Sequence, residues 1–309
     1  MKIGKILSLT ACSVLAGSLY AGSSTMNFAN VYEKECQGCH GPIHQGGVGS
    51  DLRPDALKKK ERHVLRDAIM NGVTNTAMPQ WQHMFSKDDA DGMVDWLMDW
   101  KDNTNFKLNL EEIKGTWTKL ADRDELAKKY PNSVDTKSVL DITFATERDA
   151  SLVDFIDSTT GKVLSRHKAG FAVHVTVTNK KNPRYAYSIS RSGRLTMFDI
   201  AAPGQPAIAS VQVGFESRGL AVSPDGKYVI AGNYTPGGAV LCDAMTLEPL
   251  KAYDTSAVIN TEGQIEASRV ASLADTPYGP YFAMALKDAG RVYLIDYSKP
   301  GFPIVGDVP

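Results

Sequence analysis

Hydrophobic and polar residues alternate with a period of two through the C-terminal half of the chain, and the pattern recurs. Four stretches each place a strand, a turn and a second strand that ends in an aspartate, at Asp157, Asp199, Asp243 and Asp296. Successive aspartates are 42, 44 and 53 residues apart. A period of about 40–50 residues built from short strands is typical of a β-propeller. The pattern therefore predicts an all-β propeller of about four blades over residues 138–309.

Helical periodicity replaces this alternation in residues 26–106. A helix is predicted over residues 27–35, and a second begins after the capping pair Ser86 and Asp89, where apolar residues recur at helical spacing. A charged stretch with one short helical piece, residues 107–137, follows as a linker. The sequence thus predicts a small all-α domain joined to the propeller.

Residues 1–21 have the composition of a secretory signal peptide. Two lysines precede an apolar run, and small residues follow it. A lipoprotein site at Cys12, in LTAC, is the alternative, but the apolar run continues past that cysteine. Since no other apolar run approaches the ~20 residues of a spanning helix, we expect an exported, periplasmic protein with no membrane span in the mature chain.

A net charge of −1 from 34 basic and 35 acidic residues argues against binding to nucleic acid.

Residues 36–40 read CQGCH, the pattern of covalent haem c attachment. Cys36 and Cys39 can form thioethers to the two vinyl groups of one haem, and His40 is then placed under the iron. A redox C-x-x-C or half of a zinc site are the alternatives. Neither explains the histidine, and the chain has no second C-x-x-C to complete a zinc site. The remaining cysteine, Cys242, is expected to be a buried small hydrophobic residue.

A sixth iron ligand is expected from NGVTNTAMPQW, where Met78 precedes a proline 38 residues after His40. The pattern resembles the Met-Pro ligand loop of class I cytochromes c, and His/Met ligation suits electron transfer. A role for Met78 as a core residue is the alternative. Four other side chains remain candidates for the sixth ligand: Met84, His83, His63 and His44.

Several stretches between residues 27 and 309 resemble the cytochrome cd1 family, which includes nitrite reductases and the dihydro-haem d1 dehydrogenase of haem d1 biosynthesis. They are TERDASLVDFIDSTTGKVL, AGFAVHVT, SRSGRLTMFDI, ESRGLAVS, IAGNYTP with MTLEPLKAY, and KDAGRVYLIDY. The resemblance implies a c-haem domain followed by an eight-bladed propeller whose channel holds non-covalent haem d1. On this basis about half of the propeller, four blades of eight, is expected here.

The resemblance identifies His174 in AGFAVHVT as the proximal iron ligand of haem d1. From the residues alone, a packed and hydrogen-bonded strand histidine is the better supported alternative. Regular alternation would turn Val173 and Val175 to one face and Ala172, His174 and Thr176 to the other, so that small neighbours leave room beside the imidazole.

Haem d1 carries several carboxylates, and guanidinium groups pair well with them. The arginines that match those of the family are Arg148, Arg191, Arg194 and Arg218. Ordinary pairing with a neighbouring acid on a blade surface is the alternative for each of them. Arg269 also matches, although the residues before it depart from the family pattern, and Tyr234 is expected to border the pocket.

The resemblance implies a di-haem nitrite reductase, or its N-terminal part, in which haem c passes electrons to haem d1 and nitrite is reduced to nitric oxide. The distal residues that protonate nitrite in the family lie in later blades, so no catalytic residue is assigned. A dihydro-haem d1 dehydrogenase is one alternative, and a mono-haem electron carrier with a partner-binding propeller is another. A small periplasmic cytochrome c or cupredoxin is the expected electron-transfer partner, and a homodimer is compatible with the resemblance.

Overall fold

The computed structural model describes residues 26–309 except 42–43, 45, 47–48, 102–107 and 149, so the predicted signal peptide lies outside the described residues. The N-terminal part is helical. Its elements are α1 (Phe28–Val31), a π-helical turn (Tyr32–Cys36), α2 (Gln37–His40), α3 (Pro54–Leu57), α4 (Arg62–Asn71) and α5 (Lys87–Asp99). None of the helices in the described ranges is long and apolar enough to cross a membrane.

Helix α5 begins where the sequence predicts it. The Ser86 hydroxyl accepts a hydrogen bond from the Asp89 backbone N–H at 3.1 Å, and the Asp89 carboxylate accepts one from the Ser86 N–H at 3.1 Å. This reciprocal capping satisfies two N–H groups that the first helical turn leaves without partners. The apolar face of α5 then buries Met93 and Leu97 in the helical core.

The strands form four antiparallel blades within the described residues. Blade 1 contains β2 (Ile142–Glu147), β3 (Leu152–Asp157) and β4 (Val163–Lys168). Blade 2 contains β5 (Val173–Thr178), β6 (Tyr185–Ser190), β7 (Arg194–Asp199) and β8 (Ala207–Gln212), and β1 (Thr118–Lys119) pairs with β8. Blade 3 contains β9 (Gly219–Val222), β10 (Tyr228–Asn233), β11 (Gly238–Asp243) and β12 (Pro249–Asp254). After a hairpin of β13 (Val258–Ile259) and β14 (Ile265–Glu266), blade 4 contains β15 (Val270–Asp275), β16 (Tyr281–Leu286), β17 (Arg291–Asp296) and β18 (Ile304–Val308).

Each of the four predicted aspartates is the last residue of a strand, β3, β7, β11 and β17. Its carboxylate accepts a hydrogen bond from the backbone N–H two residues later, at 2.7 to 3.1 Å. Because an aspartate side chain can close such a turn, it ends the strand and reverses the chain toward the next one. Each of the four sequence repeats thus contains the same kind of turn, closed by its aspartate.

The blades pack face to face, and a core separates each pair. Phe155 of blade 1 meets Phe198 of blade 2 with ring centroids 5.1 Å apart, and further cores lie between blades 2 and 3 and between blades 3 and 4. The first strands β2, β5, β9 and β15 contact one another in succession. The inner edges of the four blades therefore converge on one axis, and β5, which carries His174, lies at this inner edge.

The predicted linker is folded onto the propeller. It forms α6 (Leu110–Gly115), β1 and α7 (Arg123–Lys129), and a short 3-10 helix (Val139–Asp141) leads into blade 1. The indole N–H of Trp117 donates to the Thr246 carbonyl at 3.0 Å, and the Arg123 guanidinium donates to the Met245 carbonyl at 2.7 Å. These contacts bind the segment to blade 3, and the pairing of β1 with β8 binds it to blade 2.

Candidate functional site

A cavity of about 450 Å³ lies against the CQGCH motif. Cys36, Cys39 and His40 line one side, and Met78 lies in the lining as well. Both cysteines are half-buried free thiols. The rest of the lining is mostly apolar, with Leu65, Ile69, Val94 and Leu97 among its residues. An apolar cavity with two thiols, an imidazole and a thioether fits a covalently attached haem.

The π-helical turn followed directly by α2 brings the two cysteines to this cavity. The Tyr32 hydroxyl donates to the Gly41 carbonyl at 2.6 Å and so ties the start of the turn to the residue after the motif. Burial, followed by the nearby Glu35 and Cys39, raises the pKa of the Cys36 thiol to about 11. The free thiol of Cys36 is therefore protonated at neutral pH.

The buried His40 imidazole is held in one orientation. Its Nδ1 lies 2.7 Å from the Ser50 carbonyl oxygen. Since a carbonyl only accepts, Nδ1 carries the proton and Nε2 keeps its lone pair for a metal. Burial lowers the pKa of His40, which favours the neutral ring. A Cβ added at Gly49 would lie 2.7 Å from the ring, so the loop can pass this close only with glycine.

Among the five candidate sixth ligands, Met78 lies in the cavity lining. Its backbone N–H donates to the Thr76 hydroxyl at 3.1 Å, which fixes the loop. His83 stacks on Trp81, Met84 is exposed, and His44 is buried among three aromatic rings. His63 lies on α4 with an exposed side chain. The geometry favours Met78.

His174 lies in a β-bulge, and the expected alternation is wrong at this point. Val173 pairs with Ser190 and Val175 pairs with Ile189, so His174 is the extra residue in the ladder. The bulge reverses the faces: Val173 packs in the core between blades 1 and 2, whereas Val175 packs against the core between blades 2 and 3. The imidazole therefore stands outside the ladder and is partly exposed at the inner edge.

Three of the four predicted arginines lie close enough to His174 for their charges to act on its imidazole. Partial burial lowers the pKa of the imidazole, and the positive charges of Arg218, Arg191 and Arg148 lower it further. A neutral imidazole with an available lone pair is therefore favoured at neutral pH, which is the form that binds iron. Arg194 points elsewhere, with Nη1 3.3 Å from the Ser210 hydroxyl on β8.

The positive charges of this cluster are only partly compensated. Arg191 lies 3.7 Å from the Glu216 carboxylate, and both side chains are largely buried. Arg218 stacks its guanidinium on the Tyr234 ring, 4.6 Å from the centroid, and its buried Nε has no hydrogen-bond partner among the described residues. A buried donor without a partner fits a ligand that brings acceptors, such as the carboxylates of haem d1.

Tyr234 borders this cluster and carries two further cations on its ring. Arg269 lies 5.3 Å and Lys287 lies 5.8 Å from the ring centroid. Arg269 is also paired with Asp288 at 2.5 Å, which compensates its charge.

Cys242 is fully buried in the core between blades 2 and 3, and burial raises the pKa of its thiol.

Sequence reasoning missed Glu216, Lys287 and Phe171 at this end of the propeller. A second cavity of about 260 Å³ lies between the haem-attachment motif and blade 2, lined by Cys39, Phe171, Arg191 and Glu216 among others. Phe171 lies inside AGFAVHVT and Glu216 is the first residue of ESRGLAVS, so their closeness in sequence to His174 and Arg218 was the available signal.

Comparison with known proteins agrees with both parts of the chain. The Cytochrome D1 heme domain family model matches residues 137–303, and the model described as cytochrome C oxidase, cbb3-type, subunit III matches residues 24–97. A nitrite reductase of Stutzerimonas stutzeri is 27% identical over 290 residues, which are 87% of this chain and 50% of the relative. A dihydro-heme d1 dehydrogenase of Pseudomonas aeruginosa is 27% identical over 294 residues, which are 95% of this chain and 57% of the relative.

A solved structure gives the same result. Dihydro-heme d1 dehydrogenase NirN in complex with DHE superposes with a TM-score of 0.65 at 26% identity, over 90% of this chain and 57% of that one. The chain thus spans a little over half the length of the relatives that it matches. The predicted fold class and the predicted cofactor types, haem c and haem d1, are confirmed at the level of these families. Since the D1 match covers more than half of the chain, the protein belongs to the cytochrome d1 haem domain family, with a cytochrome c region before the propeller.

Proposed function

We propose that the protein is a periplasmic di-haem oxidoreductase of the cytochrome cd1 type, or part of one, that takes part in the reduction of nitrite to nitric oxide. The observation that carries the proposal is His174, which a bulge takes out of the strand ladder and on which the charges of Arg148, Arg191 and Arg218 act. Arg191 also lines the cavity beside the haem-attachment motif. Bound there, haem d1 would supply the iron at which nitrite takes up one electron and two protons to give nitric oxide and water.

The candidate ligands of this chain form two sites, one for haem c and one for haem d1. Cys36 and Cys39 would attach haem c covalently, and His40 and Met78 would ligate its iron. His174 would ligate the iron of haem d1 through its neutral imidazole. Arg148, Arg191 and Arg218 would pair with carboxylates of the tetrapyrrole and orient it.

A dihydro-haem d1 dehydrogenase is the second candidate function. It is favoured by the relative from Pseudomonas aeruginosa, which aligns with 95% of this chain. The same two cofactor positions would serve this reaction with electrons moving in the opposite direction. A mono-haem carrier whose propeller only binds a partner remains the alternative of a different class.

The electron-transfer partner is proposed to be a small cytochrome c or cupredoxin. Val64 and Val73 line the haem c cavity and are 46% and 44% exposed. Exposed apolar residues at the rim of a cofactor site suit a weak, transient contact between electron carriers. Homodimer formation stays a prediction.

The test uses the full chain expressed with haem c attached. Haem d1 is added without oxygen, and the absorption spectrum is followed. We expect a second, red-absorbing chromophore in the wild type and in His167→Ala, a matched control in blade 1 whose imidazole contacts the Gly204 carbonyl. His174→Ala is expected to lack this chromophore. If the wild type binds no haem d1, the mono-haem carrier is the better interpretation.

Two assays then separate the two enzymatic functions. Protein loaded with haem d1 is reduced and mixed with nitrite, and nitric oxide is measured. Protein without haem d1 is oxidised and mixed with dihydro-haem d1 and an excess of an oxidised small cytochrome c, which takes up the two electrons released, and formation of haem d1 is measured. Nitric oxide formation alone supports nitrite reduction, and oxidation of dihydro-haem d1 alone supports the dehydrogenase. If the protein is inactive in both assays, the enzymatic proposal for this chain is contradicted.

A further inference from the structure

Gly38, the residue between the two cysteine positions of the haem c motif, is in contact with the segment that leads to His174. A Cβ added to Gly38 would lie 2.8 Å from Cε2 and 2.9 Å from Cδ2 of Phe171. The Phe171 ring therefore rests directly on the backbone of the motif, where only glycine leaves room. Phe171 stands three residues before His174.

The segment that carries Phe171 is held rigidly. The Phe171 N–H donates to the Ser192 hydroxyl at 3.1 Å, and the Ser192 N–H donates back to the Phe171 carbonyl at 3.3 Å. The Ala172 N–H donates to the Ser151 hydroxyl at 3.2 Å, and the Arg191 N–H donates to the Ala172 carbonyl at 3.1 Å. A displacement of the Phe171 ring is consequently passed to the backbone of the His174 strand and to that of Arg191.

We infer that Phe171 is a positioning residue that fixes the haem c motif against the strand carrying His174. Its consequence for electron transfer rests on the proposed function, whereas the mechanical contact does not. Gly38 and His174 are more than 130 residues apart along the chain. Through the contact of Gly38 with the Phe171 ring, only three residues of backbone separate the motif from His174. Phe171 thereby sets the separation and orientation of the two candidate iron sites.

The first test is hydrogen exchange on the full chain with haem c attached and no haem d1 added. Phe171→Ala is expected to speed exchange about tenfold or more in both residues 34–41 and residues 168–178. Phe171→Tyr keeps the ring and is expected to retain protection. Phe302→Ala is the matched control, because Phe302 is a half-buried propeller aromatic that packs on Tyr228 instead. Unchanged exchange of residues 34–41 in Phe171→Ala overturns the inference.

A double-mutant cycle tests the contact itself. Gly38→Ala places a methyl group against the ring and is expected to increase exchange in residues 168–178. In the Phe171→Ala background the same methyl group meets no ring, so its effect is expected to vanish. Additive effects of the two changes would show that Gly38 and Phe171 act independently, against the inference.

With haem d1 supplied, electron transfer from flash-reduced haem c is expected to slow by up to about 100-fold in Phe171→Ala, since a misplacement of about 1 Å can carry a cost of this order. An unchanged rate in a variant with increased exchange would confine Phe171 to a structural role. If the wild type binds no haem d1, the proposed function fails, whereas the exchange results still decide whether Phe171 links the motif to the strand.

Discussion

At His174, two physical effects act in the same direction. Desolvation penalises the imidazolium, and three guanidinium groups repel it, so both lower the pKa of the ring. Arg191 experiences the same repulsion, because burial and then Arg218 and Arg148 lower its pKa as well. Like charges gathered at one end of the propeller cost free energy unless a ligand with several negative charges compensates them. We therefore expect an anionic ligand to compensate the charges of this cluster.

Replacement of Arg218 tests this idea. We expect Arg218→Gln to leave the stability of the protein without haem d1 unchanged or to raise it, because a half-buried cation whose buried Nε lacks a hydrogen-bond partner among the described residues is removed. Affinity for haem d1 is expected to fall about tenfold or more, the value of one charge-assisted hydrogen bond. Urea unfolding and titration of the red chromophore measure the two effects. Arg194→Gln is the control, and an equal loss of affinity there would argue against the cluster.

His44 provides a second prediction at the scale of one residue. Its ring is 2% exposed, with Tyr32 at 4.2 Å and Trp100 at 4.6 Å between ring centroids, and its Nδ1 has no partner among the described residues. Burial, with a smaller contribution from His40, lowers its pKa from 6.5 to about 4. The unfolded chain therefore binds a proton between these pH values that the folded protein excludes, and stability falls as the pH is lowered through this window.

The expected loss reaches about 3 kcal/mol between pH 6.5 and pH 4. His44→Phe keeps an aromatic ring in the same cage and removes the titration, so it should lack this part of the pH dependence. Unfolding of the helical part is followed by haem absorbance in urea at pH 7 and pH 4.5. Parallel pH profiles of the wild type and the variant would contradict the prediction.

At the scale of elements, periodicity and turn chemistry were enough to predict what local sequence controls. The capping pair of α5 and the four strands that end in aspartate depend on neighbours within four residues, and the structure has them as predicted. The bulge at His174 could not be predicted from the sequence. It arises from the pairing register between β5 and β6, and the order of hydrophobic and polar residues in β5 does not record it. The contact of Phe171 with Gly38 could not be predicted either, because it joins residues that are far apart in the sequence.

Among the turn aspartates, Asp199 is expected to be the most sensitive. Its fully buried carboxylate accepts from the Ala201 and Ala202 N–H groups at 3.1 and 3.3 Å, and it pairs with Arg184 at 2.7 Å. Asp199→Ala would leave a guanidinium that is 12% exposed without its carboxylate, at a cost of about 3–5 kcal/mol. Asp124→Ala removes a carboxylate that is 80% exposed, and we expect at most about 1 kcal/mol. Thermal unfolding of the propeller measures the loss of stability in the two variants. Equal losses in Asp199→Ala and Asp124→Ala would contradict the expectation that Asp199 is especially sensitive.

At the scale of the whole molecule, the predicted linker is the clearest addition from the structure. Composition marked residues 107–137 as charged, and the helices α6 and α7 do expose their acidic residues. However, Ile113 is buried in the core between blades 2 and 3, and β1 extends blade 2. One buried isoleucine in a charged stretch is a weak signal, so the docking could not be inferred from the sequence. The segment therefore belongs mechanically to the propeller, and the helical part meets it near Gly38 and Phe171.

The helical part and the propeller have separate cores, which predicts separate unfolding. Tyr32, Phe85, Met93 and Leu97 pack around a cavity of about 450 Å³, whereas the three other cores lie between blades. Its lining is mostly apolar, so without haem this cavity exposes apolar surface to water, which is unfavourable. Haem c is therefore expected to be an obligatory part of the helical core.

A variant with Cys36→Ala and Cys39→Ala is expected to lose the helical far-UV circular dichroism and the lower calorimetric transition. The propeller transition should remain within a few degrees, because its cores contain no residue of the haem cavity. Cys242→Ala is the control: it removes a thiol from the propeller core and should leave haem attachment and the helices intact. If the double variant also lowers the propeller transition strongly, the contact of Gly38 with Phe171 makes the molecule one cooperative unit, and the separation proposed from the cores is wrong.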